Sequence, residues 1–162
     1  MADIAIYTDG ASRGNPGPGG YGIVLISGKH RKEFAKGFRK TTNNRMELMS
    51  IVDAIDALKG EGHNVTIYSD SKYVVDAVNQ RWVFGWQKKG FKGKKNADLW
   101  QQFLKIYRNH NLKFVWVKGH ASNVENNRCD ALAVQAALSD NLFIDEPYEN
   151  GINDLDTPGN MF

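Results

Sequence analysis

Four carboxylates stand where a sequence can do chemistry. Asp9 follows the alternating run DIAIYT and Asp70 follows the apolar run VTIYS, each at the end of a predicted strand. Glu47 falls in the first turns of a long helical stretch, on the border of its apolar stripe. Asp130 falls early in the last helical stretch, beside Cys129 and Leu132, whose spacing turns them to a core. Carboxylates at the edge of an apolar core repel one another unless something neutralises them. Hard divalent cations do so: Mg2+ takes oxygen ligands, keeps several waters and bridges substrate phosphates. Each acid also has an ordinary reading. Asp70 or Ser71 could cap the helix that starts at Lys72, Asp130 could complement a helix dipole, and Glu47 could be a surface residue. Asp9 is the hardest to dismiss, because an Asp between an apolar strand and a turn needs a partner.

The elements that position these acids follow from periodicity. Residues 3–8 alternate as a strand, and 13–20 (RGNPGPGG) are turn chemistry throughout. Residues 21–27 and 33–39 read as second and third strands of an antiparallel meander. The spacing predicts a helix over 43–59, with Leu48, Ile51, Val52, Ile55 and Leu58 on one face and Gly60 as its stop. A strand over 65–69 and a helix over 72–80 follow. Residues 81–96 lack clean periodicity, mixing glycines, aromatics and lysines. A helix over 97–108, a strand over 113–118, a loop over 119–125 and a helix over 126–138 complete the pattern. This order predicts an α/β fold, a mixed sheet with helices on its faces. Gly17, Gly19 and Gly22 match G-x-G-x-x-G, but a strand follows where a dinucleotide site needs a helix, so that reading is rejected.

The 162 residues suit one domain, and 41% hydrophobic content can fill its core. The single cysteine, Cys129, forms no intramolecular disulfide, and no Cys/His spacing suggests zinc. The start lacks the basic region of a signal peptide, and no apolar run approaches the roughly 18 residues that span a bilayer. The expectation is a soluble cytoplasmic protein without a membrane partner. The net charge of +3 conceals an asymmetry: residues 81–118 hold ten Lys or Arg against Asp98 alone, whereas 139–162 hold six acids and no Lys or Arg. The rest of the chain is therefore at +9, 21 basic against 12 acidic residues. A basic body with an acidic tail points to a polyanionic partner, with a solvated charged surface as the alternative.

Four strings, YTDGASRGNPGPGGYG, TTNNRMEL, SDSKYVVDAV and WVKGHASNVENNRCDALA, resemble those of bacterial type-1 ribonuclease H, in that family's order across most of residues 3–138. The resemblance implies a five-stranded mixed sheet with helices on both faces and a catalytic domain over 1–138, which leaves the acidic tail over 139–162 outside it. It implies an endonuclease that hydrolyses the RNA strand of RNA–DNA hybrids, leaving 5′-phosphomonoesters, as a monomer using two Mg2+ ions, with Mn2+ as a substitute. Two such ions about 4 Å apart activate a water and stabilise both oxygens of the displacement. Asp9 would bridge them, with Glu47 and Asp70 on one and Asp130 on the other. His120 matches a mobile histidine; its ordinary pKa near 6.5 suits a proton shuttle or a role in product release.

The resemblance further places Asn15, Asn43 and Asn44 at the minor groove of the hybrid, where the 2′-hydroxyl distinguishes RNA from DNA. Thr42 and Asn96 match a pocket for a DNA phosphate. Trp82 and Trp86, with Lys88, Lys89, Lys92, Lys94 and Lys95, resemble a basic protrusion that grips the DNA strand through phosphates, so sequence preference should be weak. Of the two indoles, Trp86 is expected to be the more exposed. Lys72 departs from the family pattern, which carries Gln in many relatives, and exchanges a minor-groove hydrogen bond for a phosphate contact. His30, His63 and His110 read as ordinary histidines. Two other functions fit the pattern less well: a hybrid-binding module without catalysis, since all four acid positions are filled, and a DNA-cutting recombinase, which brings extra domains. The tail has no family counterpart. Leu142, Phe143, Ile144, Tyr148 and Phe162 are its candidate anchors, and its acids would lower the positive potential of the body.

Overall fold

The computed structural model describes residues 2–119 and 123–153. His120 and Phe162, both singled out in the sequence, lie outside the described residues. Five strands form one sheet in the order β3-β2-β1-β4-β5: β1 (Asp3–Ser12), β2 (Gly17–Ser27), β3 (His30–Thr41), β4 (Asn64–Ser69) and β5 (Asn111–Trp116). The first three pair antiparallel, and β4 and β5 pair parallel to β1, so the sheet is mixed.

The helices are α1 (Asn43–Asp56), α2 (Lys72–Asn79), α3 (Trp82–Lys88), α4 (Ala97–Ile106), α5 (Val124–Ala137) and a single turn, α6 (Glu146–Glu149). Successive residues of β2 show that both faces are covered. Ile23 joins the main core with Met46, Leu48, Ile51 and Trp100, whereas Val24 packs with Cys129 and Leu132 of α5 on the other face. No helix among the described residues is long and apolar enough to cross a membrane.

Several boundaries differ from the periodicity. β1 runs on to Ser12, and β2 begins at Gly17, inside a stretch whose composition reads as turn. The glycines permit this because α5 lies directly on the strand: a Cβ at Gly22 would fall 2.3 Å from the Cys129 carbonyl oxygen. Composition reports a need for no side chain there, which a turn and a tightly covered strand share. β5 sits two residues earlier than expected, in register with β4 from Asn64↔Asn111 to Ser69↔Trp116. The aperiodic stretch contains α3, held off the regular pattern by left-handed backbone at Arg81, Phe91 and Asn96.

The C-terminal segment lies on the body. Phe143 exchanges backbone hydrogen bonds with Gly37 and Arg39 of β3, at 2.8 and 2.9 Å. Its side chain remains half exposed, as does that of Ile144. The strongest anchor is polar: Asp145 meets the fully buried Arg45 guanidinium at 2.7 Å, and Asp98 takes the other side of the same fork at 2.8 Å. Burial disfavours the Arg45 charge, but the two carboxylates outweigh it and hold its pKa above the ordinary value. Glu149 likewise pairs with Arg39. Apolar residues were the expected anchors, but a buried ion pair is the principal one.

Candidate active site

Asp9 does not end its strand. It lies inside β1, at the centre of the sheet, opposite Gly22 of β2. On the other side β1 runs parallel to β4, with Tyr7 beside Tyr68. Continuing that register two residues brings Asp9 level with Asp70, which follows the end of β4. Glu47 comes from the second turn of α1, whose N-cap is Thr42, its hydroxyl accepting from the Arg45 N–H. The helix can approach because Gly10 has no side chain: a Cβ there would lie 2.5 Å from the Met46 carbonyl carbon. The Gly10 N–H donates to both Asp9 Oδ1, at 2.9 Å, and Glu47 Oε1, at 2.5 Å.

Carboxylate oxygens of Asp9, Glu47 and Asp70 all lie within 4.8 Å of one another. Asp70 is free for this because Ser71 caps α2, its hydroxyl accepting from the Val74 N–H at 3.3 Å. Gly119, which precedes His120 in the chain, lies against the Asp70 side chain. Asp130 stands outside the trio but beside it. α5 is tied to β1 by Asn126 and Cys129, which donate to the Thr8 and Tyr7 carbonyls, and the Asp130 charge acts on Asp9.

Electrostatics follow from this crowding. Burial pushes the Asp9 carboxyl up to about 7, with the charges of Asp70 and Asp130 adding to the rise, while hydrogen bonds from Glu47 and the Gly10 N–H oppose it. Glu47 is buried and held well above the usual carboxylate range, by burial first and then by Asp9. None of the ion pairs among the described residues involves the four acids. An all-oxygen, like-charged donor set without a basic partner fits a hard divalent cation.

The other expected site residues fall into two groups around this centre. Asn15 and Asn43 form one network: Asn15 Oδ1 accepts from the Asn43 N–H at 3.1 Å, and Asn43 Oδ1 accepts from the Ser12 N–H at 2.7 Å. Asn44 is exposed next to them and lines two cavities. Thr42 and Asn96 border one cavity of about 260 Å³. A second, of about 300 Å³, is bounded by Tyr73, Trp82, Trp86 and Lys94. The five lysines of the protrusion are all exposed. The two indoles reverse the expectation. Trp82 is 51% exposed, whereas Trp86 packs edge-on against buried Trp100 at 5.8 Å, with Lys94 Nζ 4.9 Å over its ring. Lys72 lies over Trp116, whose indole N–H donates to the Asp70 carbonyl.

Sequence reasoning missed Asn153 and named Tyr148 only as an anchor of the tail; both join the body's residues around the smaller cavity. Their only signal was neutrality amid acids. It also missed Arg45, a charge placed among the apolar residues of α1, which is the mark of a buried ion pair.

A sequence model described as RNase H matches residues 1–138. A protein of Desulforamulus reducens named "Ribonuclease H" is 51% identical over 150 residues, covering 90% of this chain and 94% of its own. One of Novosphingobium aromaticivorans with the same name is 49% identical over 144 residues, covering 86% and 99%. Among solved structures, LC9-RNase H1, described as a type 1 RNase H with the type 2 active-site motif, superposes with a TM-score of 0.77 at 30% identity, over 99% of this chain and 84% of that one. LC11-RNase H1 in complex with an RNA/DNA hybrid gives 0.59 at 28% identity, over 83% and 96%. Half of the residues shared with relatives nearly from end to end is more than a common fold requires, and the chain belongs to the RNase H family.

Proposed function

We propose that the protein is a ribonuclease H that hydrolyses the RNA strand of RNA–DNA hybrids, with Asp9, Glu47, Asp70 and Asp130 holding two Mg2+ ions, or Mn2+ in their place. The observation that carries this is the trio of carboxylates within 4.8 Å, one buried and none paired with a base among the described residues. When bound, the divalent ions supply an activated water and charge stabilisation at the scissile phosphate.

The chain's own residues do the rest. Asp9, at the sheet centre, would hold the divalent ions together with Glu47 of α1, Asp70 after β4 and Asp130 of α5, and the ions would supply the charge that offsets the carboxylates' repulsion. Asn15, Asn43 and Asn44 meet the minor groove, where their amides pair with RNA 2′-hydroxyls. Trp82 and the exposed lysines hold the DNA strand through its phosphates. Water attacks phosphorus and loses a proton to solvent, the bond to the RNA 3′ oxygen breaks and that oxygen takes up a proton, with His120 as the proton shuttle or as a help to product release. The catalytic unit is 1–138, and 139–162 is an appended segment. The single buried thiol is in keeping with a cytoplasmic enzyme, which we take to act as a monomer.

Replacing Asp9 with Asn tests the metal assignment. The change keeps shape and removes charge, so Asp9→Asn should fold, with an unchanged far-ultraviolet spectrum, and lose Mg2+-dependent cleavage. Near-normal turnover by the folded variant would overturn the assignment.

A further inference from the structure

The cavity of about 260 Å³ beside the start of α1 has walls of two origins. Asn15, Thr42, Asn44 and Lys95 come from the body, and Tyr148 and Asn153 from the C-terminal segment. Family resemblance gives the phosphate contact here to Thr42 and Asn96. Asn96, however, is only 3% exposed, and each of its polar groups already has a partner within the protein, Nδ2 through one of its two protons. Its backbone N–H donates to Asn153 Oδ1 at 2.7 Å, its Nδ2 donates to the Tyr73 hydroxyl at 3.0 Å, and its Oδ1 accepts from Asn153 Nδ2 at 2.9 Å.

Asn153 is thus fixed at both ends of its carboxamide while lining the cavity itself. An amide NH2 carries two protons. Asn96 Oδ1 takes one, which leaves the other for whatever enters. Two of the segment's six acids are occupied elsewhere, Asp145 with Arg45 and Glu149 with Arg39. Among the described residues the cavity lining holds one cation, Lys95, and no carboxylate. The Thr42 oxygen accepts from the Arg45 N–H, so the hydroxyl proton is available to a ligand. With the segment in place, the space remains large enough for a tetrahedral phosphate. These features describe the completed wall of an anion site, and they do not describe a plug.

We propose that Asn153 is a substrate-binding residue: its second amide proton, with Lys95 and the Thr42 hydroxyl, holds one phosphate of the DNA strand. Asn96 then acts behind it, positioning the Asn153 side chain. The inference rests on the RNase H function proposed above and extends the binding face to the C-terminal segment, which the charge of the tail alone would set against nucleic acid.

Steady-state kinetics on an RNA–DNA hybrid test this with Asn153→Ala and Asn153→Asp beside the wild type. A hydrogen bond to a charged group is worth about tenfold or more in binding. Asn153→Ala should therefore raise KM about tenfold with kcat within about twofold. Asn153→Asp keeps the oxygen that accepts from the Asn96 N–H but sets a negative charge against the phosphate, and should raise KM further. On hybrids carrying a single neutral methylphosphonate walked along the DNA strand, one position should abolish the difference between wild type and Asn153→Ala. A wild-type KM in Asn153→Asp would show that only the internal contact with Asn96 matters and would overturn the proposal. So would a KM that falls in Asn153→Ala, the result for a competitor withdrawn from the site, or an unchanged KM in both variants. Failure of the wild type to cleave hybrids with Mg2+ is a separate result and would overturn the function, not this contact.

Discussion

At the scale of single residues, the site is a set of charges that the fold holds together against their repulsion. Asp9 and Glu47 have carboxyls raised above their ordinary values, Asp9 to about 7. A raised carboxyl binds protons in the folded state that the unfolded chain, with an Asp pKa near ~4, has already released. In EDTA, thermal stability should therefore fall as pH rises from about 4 through 7. Asp9→Asn should flatten that dependence and raise Tm near neutrality; equal slopes in both proteins would contradict the electrostatics described. His120 belongs to this scale too. General acid–base help is worth about 10²–10⁴-fold, so His120→Ala should slow turnover by about that much and leave metal-dependent cleavage measurable. Complete loss together with Mg2+ affinity would make His120 a ligand. The four acids were legible because an acid next to an apolar run demands a reason. The cap of α2 was not, since Asp70 and Ser71 satisfy the same rule and only the Ser71–Val74 hydrogen bond separates them.

At the scale of elements, the parallel pairing of β1 with β4 does the assembling, setting Asp9 and Asp70 level, and α1 adds Glu47 through the gap at Gly10. Helix α1 was readable from its stripe and the start of α2 from its two candidate caps, though not which of them caps it. The glycine run before Tyr21 was not, because what decides strand over turn there is α5, more than a hundred residues away. Helix α3 escaped periodicity for another reason: it is seven residues long, and Val83 is its one buried side chain. The same shortness puts Trp86 against Trp100 and leaves Trp82 outward, a distinction that neighbours in sequence do not encode. The protrusion nevertheless makes a definite prediction. Replacing Lys88, Lys89, Lys92, Lys94 and Lys95 with Ala should weaken hybrid binding and flatten the log K against log salt slope by about 0.7–0.9 for each phosphate that is no longer neutralised. A wild-type slope would show that these lysines do not touch the substrate.

At the scale of the whole molecule, the C-terminal segment is bound to the body by a buried charge. Removing one partner of such a pair costs about 3–5 kcal/mol where the other is left uncompensated, and because Asp98 keeps its side of the Arg45 fork the loss here falls toward the lower end. Asp145→Ala should lose stability of about that size in urea unfolding, whereas a change under about 1 kcal/mol would place the anchoring elsewhere. Asp145 and Glu149 are neutralised by Arg45 and Arg39, so any screening by the tail rests on its four remaining acids. One assay decides whether the molecule is a metal-dependent, hybrid-specific nuclease. A hybrid labelled on its RNA strand, a duplex RNA and a duplex DNA of the same sequence are each incubated with Mg2+, Mn2+ or EDTA. The prediction is cleavage of the hybrid's RNA strand alone, to products with 5′-phosphates, with either metal and none in EDTA. Cleavage that survives EDTA, or cleavage of duplex DNA at a comparable rate, would contradict it.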